Sequence, residues 1–269
     1  MILIRSCSGF DELEACVQMQ IDTWGYEQAD IMPRKAFLVM QKVGGQVIGA
    51  FDTDLPGAAP NGDPASLIGF AMSLPGIRPG ANFPDGHPRP YLHSHMLAVR
   101  EAYRNRGLGA QLKLEQRRDA LVRGIRHMEW TFDPLEIKNA FLNIHKLGAM
   151  VRQYRENFYG VSSSRLQGGL PTDRLLAEWH LDSPRVTGIL EGRPAAAYDI
   201  RQRIAVPASI YHWKTSETER QRAFAVQAEN RIKFQSAFSQ DLAVLGFQRD
   251  PQGNGIFELG PLTQFDAGI

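Results

Sequence analysis

Cysteine is scarce in this chain: Cys7 and Cys16 are the only two among 269 residues. They lie nine apart near the N-terminus, a spacing that builds neither a disulfide framework nor a metal site. Reduced thiols in a cytoplasmic protein are therefore expected, and no metal is. An excess of either charge is lacking as well, with 30 Lys and Arg against 29 Asp and Glu. That balance removes the electrostatic argument for nucleic acid or an anionic membrane as a partner. Long apolar runs are missing too. None approaches the roughly 18 residues of a membrane span, and Asp11, Glu12 and Glu14 interrupt the N-terminal stretch, so neither a spanning helix nor a secretory leader is expected.

Two stretches lack any periodic pattern. Residues 54–64 hold Pro56, Gly57, Pro60, Asn61, Gly62 and Pro64, and residues 77–90 hold Pro79, Gly80, Pro84, Gly86, Pro88 and Pro90. Both read as loops flanking a strand at 67–74. Such loops either shape a binding site on a rigid sheet or are surface insertions, and both readings stay open. Further strands are expected at 1–5, 37–43, 47–51, 91–99, 128–132 and 175–181, the second and third joined as a hairpin at Gly44-Gly45. Ser8-x-x-Asp11 reads as a capping box for a helix with Leu13, Val17, Ile21 and Trp24 inward and Cys16 packing beside them.

Chemistry concentrates between residues 96 and 114. The apolar run Met96-Leu97-Ala98-Val99 ends as a strand does. A basic turn, Arg104-Asn105-Arg106-Gly107-Leu108-Gly109-Ala110, follows, and a helix begins inside it with Ala110, Leu114, Leu121 and Ile125 as its apolar stripe. Strand, glycine loop and helix N-terminus together bind anions: the first helical amides have no internal acceptor and the helix dipole adds partial positive charge. No Gly-Lys-Ser/Thr is present, which excludes a Walker loop, and Leu112 occupies the third glycine position of a dinucleotide fingerprint.

What remains, Arg104-x-x-Gly107-x-Gly109 after Leu97-Ala98-Val99, resembles the coenzyme A pyrophosphate loop of the GNAT acyltransferase superfamily, with its pattern Gln/Arg-x-x-Gly-x-Gly/Ala. A second anchor lies downstream. Ala140, Lys146, Leu147 and Gly148 match the family signature Ala-x-x-Leu-Tyr-x-Lys-Leu-Gly-Phe, within a helix expected over 136–149. Two positions depart from it: Ile144 stands where the family carries its frequent general acid tyrosine, and Ala149 where it carries phenylalanine.

The resemblance implies an α+β fold, a central mostly antiparallel mixed sheet flanked by helices, over residues 1–184. It implies acetyl-CoA or another acyl-CoA as cosubstrate. Leu97, Ala98 and Val99 would face the pantetheine and thioester, and Arg104, Asn105, Arg106, Gly107, Leu108, Gly109 and Ala110 would surround the pyrophosphate. The acyl group would pass to the amine of a small molecule such as an amino acid. An open edge strand of this fold offers a homodimer contact. A coenzyme A-binding sensor or scaffold without catalysis is the alternative, favoured by Ile144.

Candidates for proton transfer come from residue type and spacing. On a strand, His93 and His95 share one face, and imidazole titrates near neutrality; they are either a base or buried and hydrogen-bonded. Asp133, closing the strand at 128–132, either orients a histidine or starts the turn at Pro134. Asn139 and Asn143, one helical turn apart, either grip pantetheine or acceptor or face solvent. Tyr154 and Tyr159 follow the second motif and either replace the missing acid or serve as aromatic packing. Beyond residue 184, residues 188–197 read as a linker. Ser216-x-x-Glu219 then opens a helix with Phe224, Ala228, Ile232, Phe238 and Leu242 inward, followed by strands at 243–248 and 256–259. Residues 185–269 are thus expected as a C-terminal extension, a long helix plus a β-hairpin packed on the first domain.

Overall fold

The computed structural model describes residues 1–193 and 197–262. The chain divides into two compact units, Met1–Met128 with Ser163–Arg165, and Glu129–Ser162 with residues from Leu166 onward. Ser163 joins the first unit because its backbone and hydroxyl both donate to Asp30, at 2.9 and 2.5 Å.

In the first unit, β1 (Ile2–Ser6), β2 (Gln46–Asp52), β3 (Leu67–Arg78) and β4 (Arg89–Val99) lie in that order, each ladder antiparallel. Helices cover both faces. Against one face, α1 (Gly9–Trp24) and α2 (Arg34–Lys42) pack Leu13, Cys16, Met19 and Phe37 onto Val47, Phe70, Met72 and Met96. Against the other, α3 (Leu108–Val122) packs Leu108 and Leu112 onto Ile48, Ala50, Ile68 and Ala71. Burial on both faces explains why Val47–Phe51 and Leu67–Met72 read as near-continuous apolar runs. Each large side chain so buried contributes about 1.5–3 kcal/mol.

Residues 37–43 correct the sequence reading. They belong to α2, with Pro33 at its N-cap, and not to a strand. Phe37 is buried and Met40, one turn on, packs on the same core, while Leu38, Val39 and Val43 are exposed. A continuous apolar run hid a helical face three residues in period. The phase of α3 also differs from expectation. Its buried residues are Leu108, Leu112, Lys113, Gln116 and Ala120, and Leu114 is exposed.

In the second unit the strand order is β5 (His127–Phe132, which begins before the boundary), β7 (Arg174–His180), β6 (Met150–Arg155), β9 (Leu242–Arg249), β10 (Gly255–Pro261) and β8 (Gln202–Val206). The helix expected over 136–149 is α4 (Ile137–Ala140), which loosens into a π-helical turn over Phe141–Lys146. At its end Gly148 takes φ +76°, and a Cβ there would stand 3.0 Å from Ile189 of α5 (Pro184–Leu190). The Leu-Gly of the second motif is therefore set by backbone handedness and by close packing.

No break separates residues 184 and 185 within this unit. Arg185 donates to Gly148 O at 3.1 Å and also to Leu245 O. Val151 of β6 pairs with Val244 of β9. Of the linker expected at 188–197, the first three residues lie in α5, and residues 194–196 are outside those described. Strand β8 and helix α6 (Ile210–Thr215) were not foreseen. The long helix is α7 (Arg220–Ser239), and its inward face is Ala223, Gln227, Asn230, Phe234 and Ala237. Ile232, expected inside, is exposed. Two polar side chains take core positions because each satisfies a backbone carbonyl, Gln227 that of Pro171 and Asn230 that of Ala205, both at 3.0 Å.

Candidate active site

The site begins with an irregularity in β4. Met72 faces Met96, but Ser73 faces Ser94, so His95 is the extra residue of a β-bulge. A bulge bends its strand and re-aims the side chain it carries. Beyond it, Leu97 and Val99 pack towards the α3 side of the sheet. His93 is paired with Leu74, which packs on the α1–α2 side. The rings of His93 and His95 lie 6.2 Å apart, so the two histidines do share a face. Burial, and then the neighbouring His93, hold His95 below the ordinary histidine value of 6.5. Its imidazole is neutral at neutral pH.

After Val99 the chain makes a short 3₁₀ turn, Glu101–Tyr103, pinned by a 2.7 Å hydrogen bond from the Tyr103 hydroxyl to Asp52. Arg104 Nε donates to Val99 O at 3.1 Å, and the Arg106 guanidinium lies 5.6 Å over the Tyr103 ring. Asn105 and Gly107 both adopt left-handed backbone, φ +61° and +80°. Gly107 is the N-cap of α3 and supplies no capping side chain. The amides of Leu108, Gly109 and Ala110 therefore have no intrahelical acceptor; Gln111 is the first to bond back, to Gly107 O at 3.1 Å. A Cβ on Gly107 would meet nothing within 4 Å. With residues 104–107 exposed, the loop is an open cradle of unpaired amides and two arginines. The structure thus joins Leu97–Val99, the histidine pair and the glycine turn on one strand–loop–helix segment.

The remaining candidates belong to the second unit. Asp133 is buried; it accepts from Leu135 N at 2.8 Å and from Lys214 Nζ at 2.9 Å, and Glu136 also bonds Lys214 at 3.2 Å. Burial works against the charge of Lys214, but the two carboxylates outweigh it and the ammonium titrates above its ordinary value. Asn139 and Asn143 do not share a face: Asn139 is exposed and Asn143 buried, because the change from α- to π-helix between them shifts the angular spacing. Ile144 is fully packed. Tyr154 donates to buried Asp173 at 2.5 Å, and burial followed by that bond drives its pKa far upward, which removes it as an acid. Tyr159 is partly exposed, its hydroxyl 2.8 Å from that of Thr131 on β5.

Among the described residues no group of three or more His, Cys, Asp or Glu is placed to hold a metal ion. No helix there is long and apolar enough to cross a membrane.

No protein-family model matches the sequence, and no curated protein matches it. Solved structures do. Arabidopsis thaliana NAA60 in complex with acetyl-CoA is similar at 17% identity and a TM-score of 0.52, over 66% of this chain and 98% of that one. The ribosomal-protein-S18-alanine N-acetyltransferase of Escherichia coli is similar at 15% identity and 0.48, over 67% and 94%. Aminoglycoside 6'-acetyltransferase type Ii is similar at 15% and 0.47, over 66% and 97%. The fold is that of the GNAT acetyltransferases, and the likeness that carries this is the one to NAA60. It spans about two thirds of the chain and nearly all of that neighbour.

Proposed function

We propose that this protein is an acyl-CoA-dependent N-acyltransferase that passes an acyl group, acetyl in the simplest case, to the amine of a small molecule. The observation that carries the reading is the open amide cradle at the α3 N-terminus, joined through Leu97–Val99 to a bulge that holds His95. Pyrophosphate oxygens fit the amides of Leu108, Gly109 and Ala110, with Arg104 and Arg106 beside them. Main-chain groups of Leu97–Val99 suit the thioester carbonyl, where an amide donor stabilises developing negative charge. A neutral imidazole at His95, with His93 next to it, accepts the proton that the amine loses on attack. The thiolate of coenzyme A is a tolerable leaving group, so transfer does not depend on an acid at position 144. Tyr159, exposed, is the phenol that keeps an acid role open. Asp133 is an ion-pair partner of Lys214 in this reading, and Asn139, being exposed, is the amide of the pair available to a ligand.

A panel of acyl-CoA donors with amino-acid and other small amine acceptors, followed by release of free thiol, tests the proposal. Donor-dependent thiol release that requires an amine supports transfer. Binding of coenzyme A with no release for any pair supports a sensor or scaffold, the reading that the buried Ile144 favours.

A further inference from the structure

The buried face of α3 carries two polar residues, Lys113 and Gln116, and both reach β4 next to the bulge. Lys113 Nζ donates to Ser94 Oγ at 2.8 Å, and Ser94 Oγ donates to Gln116 Oε1 at 2.9 Å. Opposite Ser94 on β3, Ser73 Oγ donates to Gln46 Oε1 at 2.9 Å. Gln46 Nε2 in turn donates to Gln116 O at 2.9 Å and to Asp119 at 2.7 Å. The two serines are paired across the strands at the edge of the bulge, and every member of the file except Asp119 is buried.

A buried polar file is stringent about geometry, because displacing one member strands the others without water to replace them. Here it fastens both strands at the bulge to the helix whose first turn is the anion cradle. An apolar contact at the same places would let β4 slide by a fraction of an ångström, and hydrogen bonds to a lone serine hydroxyl do not. Lys113 lies in surroundings that push its ammonium well below the ordinary lysine value through burial. An amine kept there at that disadvantage calls for a geometric reason.

We infer that Lys113 and Gln116, acting through Ser94, are positioning residues that fix the β4 bulge and thereby the His95 ring. The inference rests on the reading of His95 as the base only for its catalytic consequence, since the positioning itself is a structural claim. Its effect on turnover follows from the sensitivity of transfer to small misplacements, about tenfold to a hundredfold in kcat, with KM for acetyl-CoA unchanged.

Nuclear magnetic resonance titration of the histidine Cε1 protons, in wild type and in K113M, S94A and S94T, tests this without any acceptor. His95 is assigned by its disappearance in H95A, and thermal melts establish that each variant is folded. In wild type the His95 midpoint lies below 6.5. In K113M and S94A the bulge loosens, water reaches the ring and the midpoint moves up, whereas S94T keeps the hydroxyl and stays near wild type. Midpoints that agree in all four proteins overturn the inference, as does an S94T midpoint displaced as far as that of S94A. If H95A transfers acyl groups at the wild-type rate while K113M still shifts the His95 midpoint, the positioning stands and the assignment of the base fails.

Discussion

Gly107→Ala and Gly109→Val separate the two things that the glycine turn does, because Gly107 is the α3 N-cap and Gly109 lies inside the first helical turn. At Gly107 the backbone is left-handed, φ +80°, and a methyl group would touch nothing within 4 Å. Alanine there brings no clash, only the conformational penalty of an L-residue, about 1–2 kcal/mol of stability. Gly109 is already helical, so valine replaces the poorer helix former and should gain about 0.3 kcal/mol. Its effect falls on the ligand. A branched side chain over the first turn keeps phosphate oxygens from the amides of Leu108–Ala110, and hydrogen bonds to a charged group contribute about 1.5–3 kcal/mol each. Loss of two such bonds amounts to about 3–6 kcal/mol, or roughly 10²–10⁴ in affinity. Urea unfolding should therefore show Gly107→Ala less stable and Gly109→Val unchanged or slightly more stable. Calorimetric titration with acetyl-CoA should rank them the other way, with Gly109→Val by far the weaker binder. Wild-type affinity in Gly109→Val would mean that pyrophosphate does not sit on the α3 amides, and the functional reading would lose its basis.

Three further outcomes follow. The rate should fall as pH drops through the His95 pKa, since a proton on the imidazole removes the base, so the acidic limb of kcat/KM lies below 6.5 in wild type. H93A takes away the neighbouring imidazole that holds the His95 value down and should move that limb upward, whereas H95A should abolish it and lower the plateau by about 10²–10⁴; an unmoved limb in both variants excludes this histidine. K214M leaves buried Asp133 and half-buried Glu136 without their cation and should destabilise the fold by about 3–5 kcal/mol in urea unfolding; wild-type stability would show that the triad contributes nothing. The isolated fragment 185–269 should show no cooperative thermal transition by circular dichroism, because its strand β9 pairs with β6 and its arginine at 185 reaches Gly148.

Much of this was legible in the sequence. The strand–glycine turn–helix segment could be read because its meaning lies in local backbone chemistry: two glycines, a strand end and an N-terminus need no knowledge of the tertiary fold. His93 and His95 shared a face as spacing suggested, although their placement at a bulge could not be read, since nothing in Ser94-His95-Met96 marks an extra residue. The faces of α3 and α7 were misjudged for one physical reason. Each buries polar side chains, Lys113 and Gln116 in one and Gln227 and Asn230 in the other, that satisfy partners far away in the chain. Hydrophobic periodicity assumes the inward face is apolar, and here it is not. The Asn139–Asn143 spacing failed similarly, because the π-turn between them has no signature in residue type.

The pairing of β9 with β6 has a consequence for how the protein behaves at high concentration. Without the segment beyond residue 197, β6 would end its run of strands with a row of unpaired amides and carbonyls. Instead, among the described residues, the outermost strand of that unit after β9 and β10 is β8, and an outermost strand of the first unit is β1. Each has only five residues, and each carries arginine, Arg203 and Arg5. Edges that short and that charged make poor templates for another chain. The C-terminal strands thus act as an insulator, substituting a brief charged margin for one that invites fibre-like stacking, and trimming them should expose the protein to aggregation before any loss of chemistry is seen.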